Sequence, residues 1–267
     1  MVKGLYSAWT GMVNAQNRLD VLTNNLANAD TTGYKKEGAT TQSFDDRLAI
    51  KIKDTSWANN TPQRLGTVHL GVKIGETYTN YDQGSIQVTD NPSDLALAGD
   101  GFFAISFTDD QGNTSIKYTR DGEFNVDANG YFRDSDGNYL LNANGALNSI
   151  NTPANYIQVD PTADYSIDEQ GFVHQNNQVV GQIGVVDLAN RDYFSKYGEN
   201  LYDVLDGGQI IAGTASVEQG CLEASNVNVV DEMVQMITIQ RAYEAAQKVI
   251  QTEDSELGQA TGTVGRV

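Results

Sequence analysis

Cysteine is nearly absent from this sequence. Among 267 residues only Cys221 occurs, so no disulfide forms within the chain and a disulfide-stapled fold is excluded. The surrounding "QGCLEAS" matches no nucleophile signature, and the thiol reads as a buried structural one. Histidine is almost as scarce. His69 and His174 stand alone, outside any spacing such as H-E-x-x-H, and read as surface or strand residues rather than metal ligands or bases. Long apolar runs are missing too. The opening "MVKGLYSAWTGMVNAQNRLD" is interrupted by Asn14, Gln16, Asn17 and Arg18, unlike a secretory signal, and no segment has the length of a membrane span. If such a protein leaves the cell, it is expected to use a route that reads no such signal.

Positive charge is the remaining shortage. Seventeen Lys and Arg face 35 Asp and Glu, a net charge of −18, which argues against a nucleic-acid partner because phosphate binding needs clustered cations. The imbalance is local: residues 54–220 carry a net −16, whereas residues 1–53 carry +2. The acidity therefore reads as the solvated, self-repelling surface of a middle domain.

Against these absences stand two strongly periodic ends. From Lys3 to about Ala27, Leu5, Ala8, Met12, Ala15, Leu19, Leu22 and Leu26 recur at alternating three- and four-residue steps, a coiled-coil seam widened by Trp9 and Val13. Ala8, Gly11 and Ala15 are small enough for another helix to come close. "NNLANADTTGYKKE" (24–37) then supplies the Asn, Thr and Gly that stop helices and make turns. At the far end Met236, Ile239, Tyr243, Ala246, Ile250 and Leu257 repeat the spacing, with Glu253 the one polar step. Ser225 or Asn226 is the expected N-cap and Gly258 the expected stop. Val230, Val234 and Ile237 form a second stripe, with Met233 among the expected contacts, so this helix is expected to have neighbours on two sides.

Between the ends the period becomes two. Asp100-Gly101, Asp121-Gly122, Asn129-Gly130, Asp136-Gly137, Asn144-Gly145 and Asp206-Gly207 read as hairpin turns among runs such as "GFFAISF" and "GQIGVVDL". "DANG" (127–130) and "NANG" (142–145) look like two turns of one meander. The expected fold is α+β: long N- and C-terminal helices forming a coiled-coil-like helical domain, with a central antiparallel β domain. The expected divisions are 1–35 for the first helix and turn, 36–70 for an extended connector of low regularity containing Trp57, Asn59, Asn60 and Pro62, 71–220 for the β domain, and 221–267 for the second helix and tail.

Catalytic chemistry is thin. "GDGFFA" (99–104) begins like a dinucleotide glycine pattern but leads into a strand, leaving no helix N-terminus for a phosphate. "NVDANGYFRDSD" (125–136) places Asn125, Asp127, Asn129 and Gly130 as a calcium loop would, but its twelfth residue is Asp136 and its flanks are strand-like, so a β-turn is expected. No cofactor and no metal is expected, and the chain reads as a non-enzyme.

Three stretches carry a resemblance. "GLYSAWTGMVNAQNRLDVLTNNLANADTTGYKK", "DQGSIQVTDNPSDLALAGDGFFAI" followed by "YTRDGEFNVDANGYF", and "GCLEASNVNVVDEMVQMITIQRAYEAAQKVIQ" resemble, in this order, segments of the bacterial flagellar rod and hook family. The resemblance implies an axial subunit of the basal body, a proximal or distal rod protein. Paired terminal helices would build a tubular shaft that transmits torque to the hook, with β domains outside it. It implies copies of the chain itself and neighbouring rod and hook proteins as partners, and passage through the flagellar type III export apparatus. It assigns Asn24, Asn25, Leu26, Asn28, Thr32 and Gly33 to the turn after the first helix, and Ser225, Asn226 and Val227 to the start of the second. The alternatives are an extracellular β-domain adhesin or tail-like binding protein, and a β-fold hydrolase built on converging carboxylates.

Overall fold

The computed structural model describes residues 2–51, 63–109, 111–198 and 200–264; Trp57, Asn59, Asn60 and Pro62 lie outside these. The chain forms two compact units. The first comprises 1–27, 37–80 and 228–267, and the second comprises 28–36 and 81–227.

In the first unit helix α1 spans Val2–Ala27. Its seam residues Leu5, Ala8, Met12, Ala15, Leu19, Leu22 and Leu26 are all at least half-buried, as a face recurring every three or four residues requires. The stretch expected to be an irregular connector instead contains strands β1 (Glu37–Ser43), β2 (Arg47–Lys51) and β3 (Gln63–Val68). β2 and β3 form an antiparallel pair, and β1 pairs antiparallel with β4 (Val72–Thr79), its register shifted by an irregularity between Ala39 and Thr41. The β1–β4 ribbon packs on α1, where Asn14 Nδ2 donates to Thr41 Oγ1 at 3.3 Å.

The second unit is antiparallel β. Strands β5 (Ile86–Val88) and β6 (Leu95–Ala98) precede the hairpin of β7 (Phe102–Thr108) and β8 (Thr114–Thr119). Short strands β9 (Asn125–Val126), β10 (Phe132–Arg133) and β11 (Tyr139–Leu140) form a meander that joins β7. Turns at Gly130 and Gly137, both with positive φ, connect them. "NANG" is not a further turn of this meander. Asn142 instead caps the short helix α2 (Ala143–Asn148), its Oδ1 accepting from the Gly145 amide at 2.8 Å.

β12 (Tyr165–Ile167), β13 (Phe172–Gln175) and β14 (Gln178–Gln182) make a three-stranded sheet. β15 (Val185–Leu188), β16 (Phe194–Gly198), β17 (Leu201–Val204) and β18 (Ile210–Ala212) complete the sheet that contains β7. β19 (Ser216–Gln219) pairs with β6, and β20 (Cys221–Glu223) with β5. β7 is buried on both faces, which is why "GFFAISF" has no polar alternation over its first residues. Phe103 and Ile105 join one core with Phe124, Phe132 and Leu140, while Phe102 and Ala104 join another with Tyr118, Phe194 and Tyr202.

Helix α3 (Val229–Gln259) returns the chain to the first unit. It starts later than expected: Asn228, rather than Ser225 or Asn226, is the N-cap, its Oδ1 accepting from the Val230 and Asp231 amides. Gly258 lies inside the helix, which passes into a π-type turn at Ala260–Val264. Among the described residues no helix is long and apolar enough to cross a membrane.

Candidate functional site

In the first unit the seam residues of α1 and α3 meet. Ala15, Leu22 and Ile239 form a buried cluster, with Leu19, Met236 and Tyr243 packed against it. Ile250 is half-buried farther along α3. Met233 and Leu257 are instead exposed, as is Asn24 on the last turn of α1. The second stripe of α3 is uncovered: Val229, Val230, Met233, Val234 and Ile237 are exposed, Val230 to 67%. Tyr6, Trp9 and Val13 stand out from α1, with the Tyr6 and Trp9 rings 5.8 Å apart. Apolar side chains grouped this way on helices already packed elsewhere have the chemistry of a contact surface.

Asn25 is not on that surface. It is fully buried, and its side chain pairs with β1 much as a neighbouring strand would. Oδ1 accepts from the Glu37 amide at 2.9 Å, and Nδ2 donates to the Glu37 carbonyl at 2.8 Å and to Glu232 Oε2 at 3.3 Å. Glu232, in the first turn of α3, is fully buried as well. One amide therefore ties together the end of α1, the start of β1 and the start of α3.

The turn residues that follow α1 belong to the second unit. Thr31 N–H donates to Asn28 O at 3.3 Å, closing a tight turn. Thr32 Oγ donates to Asp121 Oδ1 at 2.7 Å, and Asn200 Nδ2 donates to Thr32 O at 2.6 Å. Gly33 has φ +65°, and a Cβ there would strike the backbone of Arg120 and Asp121. Its amide donates to Glu223 O at 2.7 Å.

Here the segment 28–36 meets the segment 225–227 and the start of 81–227. The Lys36 amide donates to Asn226 Oδ1 at 2.7 Å, and Asn226 Nδ2 donates to Asp82 O at 2.9 Å. Ser225 Oγ accepts from the Val227 amide at 3.3 Å. Ser225, Asn226 and Val227 thus do not open the helix. Tertiary pairing to Lys36 and Asp82 holds Asn226 in extended chain, and the cap falls to Asn228.

Beneath the paired segments lies a buried charge cluster. Lys35 Nζ stands 2.6 Å from Glu223 Oε1, and an Arg120 terminal nitrogen stands 3.0 Å from Glu223 Oε2. All three side chains are at most 3% exposed. Lys35 also donates to Asp82 O at 2.8 Å, the Gly84 amide donates to Glu223 Oε1 at 2.8 Å, and Arg120 donates to Gly99 O at 2.6 Å. Two cations share one carboxylate, and Arg120 Nε has no hydrogen-bond partner among the described residues. Burial pulls the Lys35 ammonium below its ordinary pKa, against the opposing effect of the hydrogen bond it donates to Glu223. Burial likewise raises the Asp121 carboxyl above its usual value, partly offset by the Thr32 hydroxyl.

Elsewhere the acidic residues serve the fold. Asp127 Oδ1 accepts from the Asn129 amide at 2.6 Å, and Oδ2 stands 3.0 Å from Arg133, so the calcium-like stretch is a turn between strands. His174 lies in β13 at 3.3 Å from Asp168, and His69 stands 2.7 Å from Asp46. Cys221 is half-buried rather than buried, at the start of β20.

Lys35, Arg120 and Glu223 escaped the sequence reading, as did the burial of Glu232 and its bond to Asn25. A weak signal existed: Glu223 and Arg120 each sit beside strand-like residues, in "CLEAS" and "YTRDG".

Matches to known families cover most of the chain. Residues 5–35 match the "Flagella basal body rod protein" family, residues 96–175 the "Flagellar hook protein FlgE/F/G D1 domain", and residues 218–263 the "Flagellar basal body rod FlgEFG protein C-terminal" family. The chain is 36% identical to the flagellar basal-body rod protein FlgG of Bacillus subtilis, over 96% of this chain and 97% of that protein. It is 37% identical to FlgG of Borreliella burgdorferi, over 97% of each. It is 30% identical to the flagellar hook-basal body complex protein FlhO of Bacillus subtilis, over 100% of each. The adhesin alternative has no support in these matches.

Proposed function

The chain belongs to the flagellar basal-body rod protein family and is a structural rod subunit of the flagellar basal body, and we propose that it polymerises with copies of itself through its terminal helices. In this reading α1 and α3 of successive copies line a tubular shaft that carries torque to the hook, with the β units outside. Other basal-body rod and hook proteins are its partners, and passage through the flagellar export apparatus belongs to the same proposal. It has no catalytic role in this account.

One observation carries the reading. α3 is covered on the face that meets α1, yet it displays Val230, Met233, Val234 and Ile237 on another. Large aliphatic side chains left in water on a helix are stabilised by a further helix laid over them. Copies of the same chain supply that helix at every position of a regular polymer.

Replacing Val230, Val234 and Ile237 with serine tests this. The substitutions touch exposed positions, so circular dichroism of the variant is expected to match the parent. Rod assembly and swimming are expected to be lost. A strain carrying the variant that swims normally refutes the interface.

A further inference from the structure

We infer that Glu232 and Glu253 fix the register in which α3 lies against α1. The helices run antiparallel, and two acidic residues of α3 meet α1 near its two ends. At one end Glu232 Oε2 accepts from Asn25 Nδ2 at 3.3 Å, with both residues fully buried. At the other, the Glu253 carboxylate lies over Gly4, where a Cβ would collide with Oε1. The first turn of α1 contains no acidic residue, so Glu253 supplies from α3 the negative charge that a helix N-terminus favours. Glu253 Oε2 is buried and has no hydrogen-bond partner among the described residues.

The two contacts belong to one alignment. Gly4 and Asn25 are 21 residues apart on α1, and Glu232 and Glu253 are 21 residues apart on α3. The apolar seams between them cannot select that alignment alone, because their three- and four-residue steps repeat every heptad. Sliding α3 by one heptad, about 10 Å at 1.5 Å per residue, again sets apolar positions against apolar positions. It also parts Asn25 from Glu232 and moves Glu253 off Gly4. A polar residue inside a helix seam specifies register at some cost in stability, and here the arrangement occurs near both ends. The inference concerns the helix pair itself and stands independently of the rod assignment.

The test uses the full chain with Cys221→Ser and spin labels at Gln16 and Arg241, both exposed. The parent is expected to give a single interhelix distance. Glu232→Leu with Glu253→Leu, which completes the apolar seam, is expected to add a second population displaced by about 10 Å along the helix. The same measurement on each single leucine variant covers failure of the double variant to fold, and a second population in either supports the inference. A single, unshifted distance in every folded leucine variant overturns it.

Discussion

Lys35 and Glu223, 188 residues apart in the chain, hold each other at 2.6 Å in a site closed to water. Arg120 completes the cluster. Glu223 is the carboxylate that pairs with both cations, so the cost of losing each member differs sharply. Glu223→Gln leaves two buried cations sharing a neutral amide and is expected to destabilise the β unit by about 3–5 kcal/mol. Lys35→Met leaves Glu223 with Arg120 and the Gly84 amide, and is expected to cost less. Urea unfolding followed by near-ultraviolet circular dichroism gives the order; equal costs for the two variants contradict it.

Gly33 makes a second prediction. Its positive φ and its closeness to the Arg120–Asp121 backbone leave no room for a side chain. Gly33→Ala is expected to cost roughly 1–3 kcal/mol through backbone strain alone, with steric displacement adding to it. Faster amide exchange is expected at Tyr34–Lys36 and at Asn226, while Phe103 and Ile105 stay protected. Unchanged exchange in the paired segments excludes the close approach.

Asp121 gives the third, through pH. Burial raises its folded pKa above the unfolded value of 3.8, so the folded chain holds this proton when the unfolded chain has released it. The associated stability is full below pH 3.8 and is lost as the pH rises through the folded pKa. Asp121→Asn keeps acceptors for Thr32 Oγ and the Glu123 amide. It is expected to be at least as stable as the parent at pH 7 and to flatten the profile above pH 3.8. Thermal melts across that range decide it, and a variant clearly less stable at pH 7 contradicts the sign.

Asn25→Leu should act in the first unit. It removes the Asn25 partner of the Glu37 amide and carbonyl and a donor to Glu232, an expected loss of about 1–3 kcal/mol for each side-chain bond given up in the buried site. The expected outcome is a β unit with unchanged amide protection, a loosened helix pair and loss of swimming. Normal motility would show that this joint is dispensable.

The sequence revealed most where burial follows from local spacing. α1 was legible to within about a residue because Leu5 to Leu26 mark one face by periodicity, and no distant partner is needed to see it. The start of α3 was misread because Ser225, Asn226 and Asn228 have similar capping chemistry. The choice is made by Lys36 and Asp82, far away in the chain. "NANG" looked like "DANG" for a similar reason: in both the glycine amide turns back to the first residue, to the backbone carbonyl of Asp127 but to the side chain of Asn142, and only the structure shows the chain continuing into α2. Lys35, Arg120 and Glu223 were illegible because isolated charges in a sequence read as solvated. Their burial depends on meeting across the fold.

The bond from Asn226 to the Asp82 carbonyl has a topological consequence. The polypeptide returns to the β unit at residue 81 and leaves it after 227 side by side, like a cassette inserted through one slot. Such an insert can be lengthened, shortened or exchanged without altering the spacing of its two stems, so structural variation among related subunits should accumulate in residues 81–220 while the stems stay constant.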